Sequence, residues 1–214
     1  MASLKQFDST VTQTDLINVA LSYLNQPEIA SIDEKSTAAR LMKLHWPLSI
    51  RSLLSQANWS FALNRKAGQR LSEEETAEKQ ALYPEYPCCF GFPPNLIRLA
   101  GLYTVEGKPL YATAERVLRR IGSAPITQPL YRIIGNKVRT ELEELIFEYV
   151  KYTDNINVFP TSFMICLTYD LAARGAKTLV NSASYAQQMQ QNLAQELTLA
   201  MNRDASQQIG EYAY

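Results

Sequence analysis

Tyr131-Arg132-Ile133-Ile134-Gly135-Asn136-Lys137-Val138-Arg139-Thr140 reads as a β-hairpin. Two short runs, Leu130 to Ile134 and Lys137 to Thr140, flank Gly-Asn, a dipeptide that accepts the positive φ of a tight hairpin turn. Upstream, Pro84, Pro87, Pro93 and Pro94 forbid a long helix, because each lacks an N–H and restricts the residue before it. Further extended runs cover Leu96 to Tyr103 and Leu110 to Ala112, and Val117 to Gly122 reads as another strand or a helical turn. Residues 69–82 are acid-rich, with Glu73, Glu74, Glu75 and Glu78, and read as an exposed loop or loose helix. The stretch 67–140 is thus predicted to be a small antiparallel β insertion.

On both sides the period changes from two to between three and four. Thr14 is placed to cap a helix whose apolar side holds Leu16, Ile17, Ala20, Leu21 and Leu24, ending near Asn25-Gln26-Pro27. Ala38, Met42, Trp46, Ile50, Leu53 and Ala57 form a second stripe starting after Ser31 or Asp33. Pro47 lies inside it, so a kink there or a break just before it is expected. Downstream, Leu142 to Val150 suits a short helix or strand. Phe159-Pro160 opens a long helix with Phe163, Leu167, Asp170, Leu171 and Arg174 at helical spacing. Asn181 to Ser184 reads as a break and new cap. Ala186, Met189, Leu193, Leu197 and Ala200 then make a last stripe that ends near Asn202.

The predicted class is α+β, mainly α-helical: a helical bundle with an inserted small antiparallel β region and an extended C-terminal tail. Residues 1–203 are read as one domain, helical over 1–66, β-rich over 67–140 and helical over 141–203. Residues 204–214 are read as the tail. The length of 214 residues and a 46% hydrophobic content allow a real core, so a disordered chain is excluded. The start is polar and no run of about 18 apolar residues occurs, so neither a secretory leader nor a membrane span is expected. Three cysteines, Cys88, Cys89 and Cys166, make a poor disulfide framework, consistent with a reducing cytoplasm.

Chemical motifs are sparse. No phosphate-binding glycine loop, dinucleotide fingerprint, nucleophile elbow or zinc-protease motif is present. His45 is the only histidine, and with no CxxC a Cys/His zinc site lacks ligands. His45 and Cys166 read as structural residues within apolar stripes. Glu141, Glu144 and Glu148 would share one face of a helix, as a solvated or intersubunit charge patch. No catalytic residue, metal or cofactor is expected.

Charge is balanced overall, with 21 basic and 21 acidic side chains, but not along the chain. Residues 98–140 carry eight basic and two acidic side chains, and residues 141–214 carry four and nine. The basic cluster comprises Arg98, Lys108, Arg116, Arg119, Arg120, Arg132, Lys137 and Arg139, with Arg116, Arg119 and Arg120 densest. Such a surface suits phosphates or an acidic protein. Segments of opposite sign in one neutral chain also suit head-to-tail packing of identical subunits. In the tail, Ile209, Tyr212 and Tyr214 are placed to pair with another chain as an added strand.

Several pieces, in order, resemble a known family. They are Leu21-Ser-Tyr-Leu-Asn25; Ser31-Ile-Asp-Glu34 followed by an Ala-rich helix; Leu53-Leu54 with Trp59-Ser-Phe-Ala62; and Phe92-Pro-Pro-Asn-Leu-Ile-Arg-Leu99. The hairpin Tyr131–Thr140, Tyr149-Val-Lys-Tyr-Thr-Asp154, and Phe159-Pro-Thr-Ser-Phe163 leading to Leu171-Ala172 complete the set. The chain is similar in these respects to the head-to-tail adaptors of short-tailed bacteriophages, often called tail tubular protein A. It departs from their pattern at His45-Trp46-Pro47. The resemblance implies a non-enzymatic virion protein of the neck, made in the host cytoplasm. It implies a homo-oligomeric ring, usually of twelve copies, between the portal protein and the tail nozzle protein. Genomic DNA passes through the lumen without sequence-specific binding, and the C-terminal segment reaches the portal. Two alternatives stand beside it: a nucleic-acid-binding module using residues 98–140, and a small cytoplasmic enzyme with scattered site residues.

Overall fold

Helix α1, Gln13–Ser22, begins at an extended Thr12, whose hydroxyl accepts from the Asp15 amide while the Asp15 carboxylate accepts from the Thr12 amide. This reciprocal capping box needs a carboxylate three residues after the cap, which Asp15 supplies to Thr12. The cap is therefore Thr12 and not Thr14. The computed structural model describes residues 11–76, 83–110, 115–121 and 124–210, and for residues 73, 115–121, 124–129 and 207–210 it gives backbone only.

The chain divides into two compact units where the sequence suggests a single domain: residues 62–152 form one, and both chain ends, up to 61 and from 153, form the other. The terminal unit is helical. It holds α1, α2 at Thr37–Leu54 capped by Ser36, α4 at Thr161–Leu179 and α5 at Ala183–Gly210. Between the last two, Asn181 takes positive φ, the left-handed geometry asparagine tolerates where one helix ends and another begins. Helix α2 runs through Pro47 without a break. Its buried stripe of Met42, Trp46, Ile50 and Leu53 holds it along α4, which offsets the one lost backbone hydrogen bond. Helix α4 is the centre of this unit and packs against α1, α2 and α5, burying Phe163, Cys166, Leu167, Leu171 and Ala172.

An aromatic cluster lies where the chain leaves and re-enters the helical unit. The Phe163 ring meets Trp59 edge-on at 5.2 Å, Phe61 at 5.0 Å and Phe159 at 4.9 Å between centroids. Buried Trp59 donates its indole N–H to the Leu53 carbonyl at 2.8 Å, which satisfies its one polar atom.

The described residues of the other unit form antiparallel strands and a short helix, α3, at Glu73–Thr76. Strands β1 (Leu63–Ala67), β9 (Ile146–Lys151) and β4 (Leu96–Tyr103) form one sheet in the order β1-β9-β4. Strands β2 (Gln69–Arg70), β3 (Cys88–Gly91), β8 (Lys137–Thr140) and β7 (Tyr131–Ile134) form a second in the order β2-β3-β8-β7. Strands β5 (Glu115–Ile121) and β6 (Ala124–Pro129) form a ribbon of their own. The β7–β8 hairpin is the expected one, with Ile134 opposite Lys137 and only Gly135 of the two turn residues at positive φ, as a type II′ turn requires. Cys88, Phe90, Leu102, Val138, Leu145, Phe147 and Tyr149 make one core from both larger sheets.

The chain changes sheet between β1 and β2 at a single residue, Gly68. Its amide donates to the Leu145 carbonyl at 2.6 Å. A Cβ there would lie 2.8 Å from Phe90 Cδ1 and 3.1 Å from both Leu145 O and Phe147 Cε2. Such a corner allows one strand to serve two sheets, and only glycine fits it.

Three expectations are corrected. Of the helix or strand read for Leu142 to Val150, the strand is the one formed, and because β9 belongs to the β unit the insertion ends at 152 and not at 140, so the helical span expected from 141 starts only at Thr161. Glu141, Glu144 and Glu148 accordingly share no helical face. Residues 204–210 of the expected tail are not extended, since α5 continues to Gly210, and residues 211–214 lie outside the described residues. The stripe of Met189, Leu193, Leu197 and Ala200 goes on to Asp204, a buried carboxylate that hides the period because it is not apolar.

Gly68→Ala should lower stability by about 1–3 kcal/mol, the usual cost of overpacking. Gly91→Ala, whose Cβ would meet only Leu71 at 3.5 Å, should change it little. Urea unfolding of both variants checks this, and equal effects would contradict the corner described here.

Candidate interaction surface

The basic cluster read from residues 98–140 is not one surface. Arg139 is buried, with its guanidinium carbon 4.6 Å from the centre of the Tyr83 ring. Lys137 donates to the Thr76 carbonyl at 2.6 Å, tying β8 to the end of α3. These two cations therefore serve the β unit's interior. Arg98, Lys108 and Arg132 are exposed. Arg116, Arg119 and Arg120 all lie on β5, where they stand opposite Gln128, Ile126 and Pro125 of β6. The register shifts between Val117 and Arg119, so the ribbon carries an irregularity between its first arginine and the other two.

The remaining candidates are on or beyond the last helix. Ile209 lies on α5, so its backbone is helical and not an added strand. Tyr212 and Tyr214 lie outside the described residues. The better-defined feature at this end is Asp204. Its carboxylate accepts from the Ser60 amide at 3.0 and 3.2 Å and from the Ser60 hydroxyl at 2.6 Å. Ser60 opens a 3-10 turn, Ser60–Ala62, directly before β1, so Asp204 caps that turn with a charge-assisted bond. Sequence spacing alone does not reveal this, because the partners are 144 residues apart.

On β9, Glu148 accepts from Arg65 Nε at 2.7 Å and from the Tyr103 hydroxyl at 2.9 Å, while the Arg65 guanidinium carbon lies 4.5 Å from the centre of the Tyr103 ring. Arg65 is directly opposite Glu148 on β1, and Gly101 is opposite it on β4. The bare Gly101 leaves room for the Tyr103 ring, which a Cβ would approach to 3.0 Å. Burial, then the Glu148 bond, raises the Tyr103 hydroxyl pKa, and the Glu148 bond raises that of Arg65. Both groups stay protonated, as their ladder to Glu148 needs.

His45 has charged neighbours that are remote in sequence. Asp170 and Arg174, joined by a 2.6 Å ion pair on α4, both act on it. His45 Nδ1 is buried without a hydrogen-bond partner, and so is Ser49 Oγ one turn further along α2. Burial lowers the His45 pKa most, Arg174 lowers it further, and Asp170 works against both. The thiol of Cys166 is pushed up to about 11 by burial, with Glu196 adding, so it behaves as a small core residue.

Among the described residues, no group of three His, Cys, Asp or Glu side chains is placed to hold a metal ion, and no helix is long and apolar enough to cross a membrane. A cleft of about 160 Å³ in the β unit is lined mainly by Lys66, Gly68, Gln69, Phe92, Pro93 and Pro94. Neither a family model nor a curated protein matches this chain.

Two outcomes follow. Asp204→Ala should cost about 1–2 kcal/mol by leaving the Ser60 donors without their cap. Ser60→Ala, which keeps the amide bond, should cost less; urea unfolding measures both, and a neutral Asp204→Ala would refute the capping role. For His45, the folded pKa lies below that of the unfolded chain, about 6.5. The unfolded chain therefore takes up a proton first as pH falls, and stability should drop as pH goes from about 7.5 to about 5.5. His45→Gln should flatten that slope in unfolding measured across this window; an unchanged slope would show that His45 does not titrate on unfolding.

Proposed function

We propose that this chain is a structural virion protein of the head-to-tail adaptor kind, one subunit of a ring between portal and tail nozzle through which the genome passes. The reading rests on the ordered sequence resemblance. One observation supports it most: two of its separated pieces, Trp59-Ser-Phe-Ala62 and Phe159-Pro-Thr-Ser-Phe163, provide the four rings of the aromatic cluster. These pieces mark where an inserted β unit begins and where the chain returns, so the resemblance follows the architecture and not only composition. A helical unit with an inserted β unit also gives a subunit two distinct kinds of surface. A ring subunit uses one kind for its neighbours and another for partners along the axis.

Electron microscopy of the purified protein mixed with a portal ring tests the proposal. An added ring of density on the portal is the expected result, and portal rings left bare at excess protein would overturn it. Deleting residues 205–214 keeps the Asp204 cap and should leave a folded protein that no longer decorates the portal; unchanged decoration would remove the C-terminal segment as the docking element.

A further inference from the structure

We infer that the cleft of the β unit is a binding site for a small aromatic carboxylate, a single ring that carries its charge on a short arm. The cleft lies at the turn from β1 into β2 and is walled by Phe92, Pro93 and Pro94, in the connection from β3 to β4. Its volume is about 160 Å³. An apolar cavity of about 150 Å³ admits one benzene-sized ring, so this cleft takes one ring and leaves no room for a second. Its walls are set before any ligand arrives. The Phe92 amide donates to the Asn136 carbonyl at 3.0 Å and the Tyr152 amide donates to the Asn95 carbonyl at 2.8 Å, which pins the connection at both ends. Pro93 and Pro94 fix their own φ, and Asn95 takes the left-handed geometry that asparagine tolerates. The Phe92 ring meets the fully buried Phe147 ring edge-on at 6.1 Å. A preformed apolar wall costs a ligand little ordering. At Gly91 the lining has no side chain, and a Cβ there would touch only Leu71.

The polar side of the cleft sets the charge of the ligand. Lys66 on β1 is directly opposite Phe147 on β9, so its stem leaves the sheet on the Phe147 face. Among the lining residues it is the charged one. Its ammonium has no ion-pair or hydrogen-bond partner among the described residues, and neither has the Gln69 side-chain amide. The acid of β9, Glu148, points to the other face of the sheet and is bonded there to Arg65 and Tyr103. A ring against Phe92 and Pro93 therefore places a short carboxylate arm beside one cation and one amide donor, and charge-assisted bonds of this kind are the strong ones. This site is independent of the adaptor reading.

The test titrates phenylpropionate into the full chain and follows backbone amide NMR shifts. Saturable shifts centred on residues 66–71 and on Gly91 and Phe92 are expected, with a Kd of about 1 mM for a ligand of this size. Phenylpropanol, which keeps the ring and loses the charge, should bind about threefold more weakly. Lys66→Gln should remove the difference between acid and alcohol while the alcohol binds as before. Gly91→Val, which places side-chain atoms in the cleft, should abolish binding of both. Urea unfolding shows that each variant is folded, and if Gly91→Val is not, Lys66→Gln alone decides. Absence of saturable shifts at about tenfold the expected Kd overturns the inference. So does equal binding of acid and alcohol, which would leave Lys66 as a charge that guards the β1 edge. So does binding of the blocked dipeptide N-acetyl-Glu-Phe-amide without binding of phenylpropionate, which would make the cleft an anchor for a segment of another protein.

Discussion

The packing of Phe163 against Trp59, Phe61 and Phe159 is the constraint on which the rest depends. Those rings hold the two points where the chain leaves and re-enters the helical unit, on either side of the β unit. Closing a loop of roughly ninety residues costs about 4 kcal/mol of chain entropy. Buried aromatic rings are suited to meet that cost: each adds about 0.5–1.5 kcal/mol of pair geometry to the burial of its large surface. The indole N–H of Trp59 has its acceptor on Leu53, so the cluster leaves no polar debt. With this closure in place, α4 can pack α1 and α2 on one side of the chain order and α5 on the other.

Asp204 extends the same logic. It brings a carboxylate from the last helix to the amide of Ser60, one residue from Trp59 and one from Phe61. A buried carboxylate is costly unless it is well hydrogen-bonded. Here three bonds from one residue satisfy it, and they mark the exit point of the chain. Apolar closure and polar cap therefore act on one short segment, residues 59–62.

What was legible in the sequence follows the range of the interactions. The β7–β8 hairpin, to within one residue at Leu130, and β4 are readable in the sequence because alternation and turn chemistry are local. The stripes of α2, α4 and α5 were readable because burial recurs every three to four residues. Thr12 and Thr14 are both plausible caps in the sequence, and only the carboxylate at Asp15 distinguishes them. Periodicity ends α5 too early because Asp204, a polar residue, stands where an apolar one would continue the stripe. The unit to which β9 belongs is set by its pairing with β1 and β4, and Arg139 reads as a surface cation although Tyr83, far away in sequence, covers it. Each miss is a residue whose role depends on a partner that periodicity does not name. The same holds for the candidate surface: the three arginines were visible as a cluster, but their place on a ribbon separate from both sheets was not.

The interrupted order of the helical unit has a consequence for synthesis. Residues 62–152 are contiguous and contain a complete core between their sheets. Helices α1 and α2 precede the β unit in the chain, and α4, against which both pack, is translated only after it. At about 5–20 residues per second, the ribosome leaves the apolar faces of Leu21, Met42, Trp46 and Ile50 waiting for about 5–20 s while the β unit emerges. During that interval the first helices are the exposed, association-prone part of the nascent chain. The arrival of Phe163, only three residues into α4, is the earliest moment at which the aromatic closure can form.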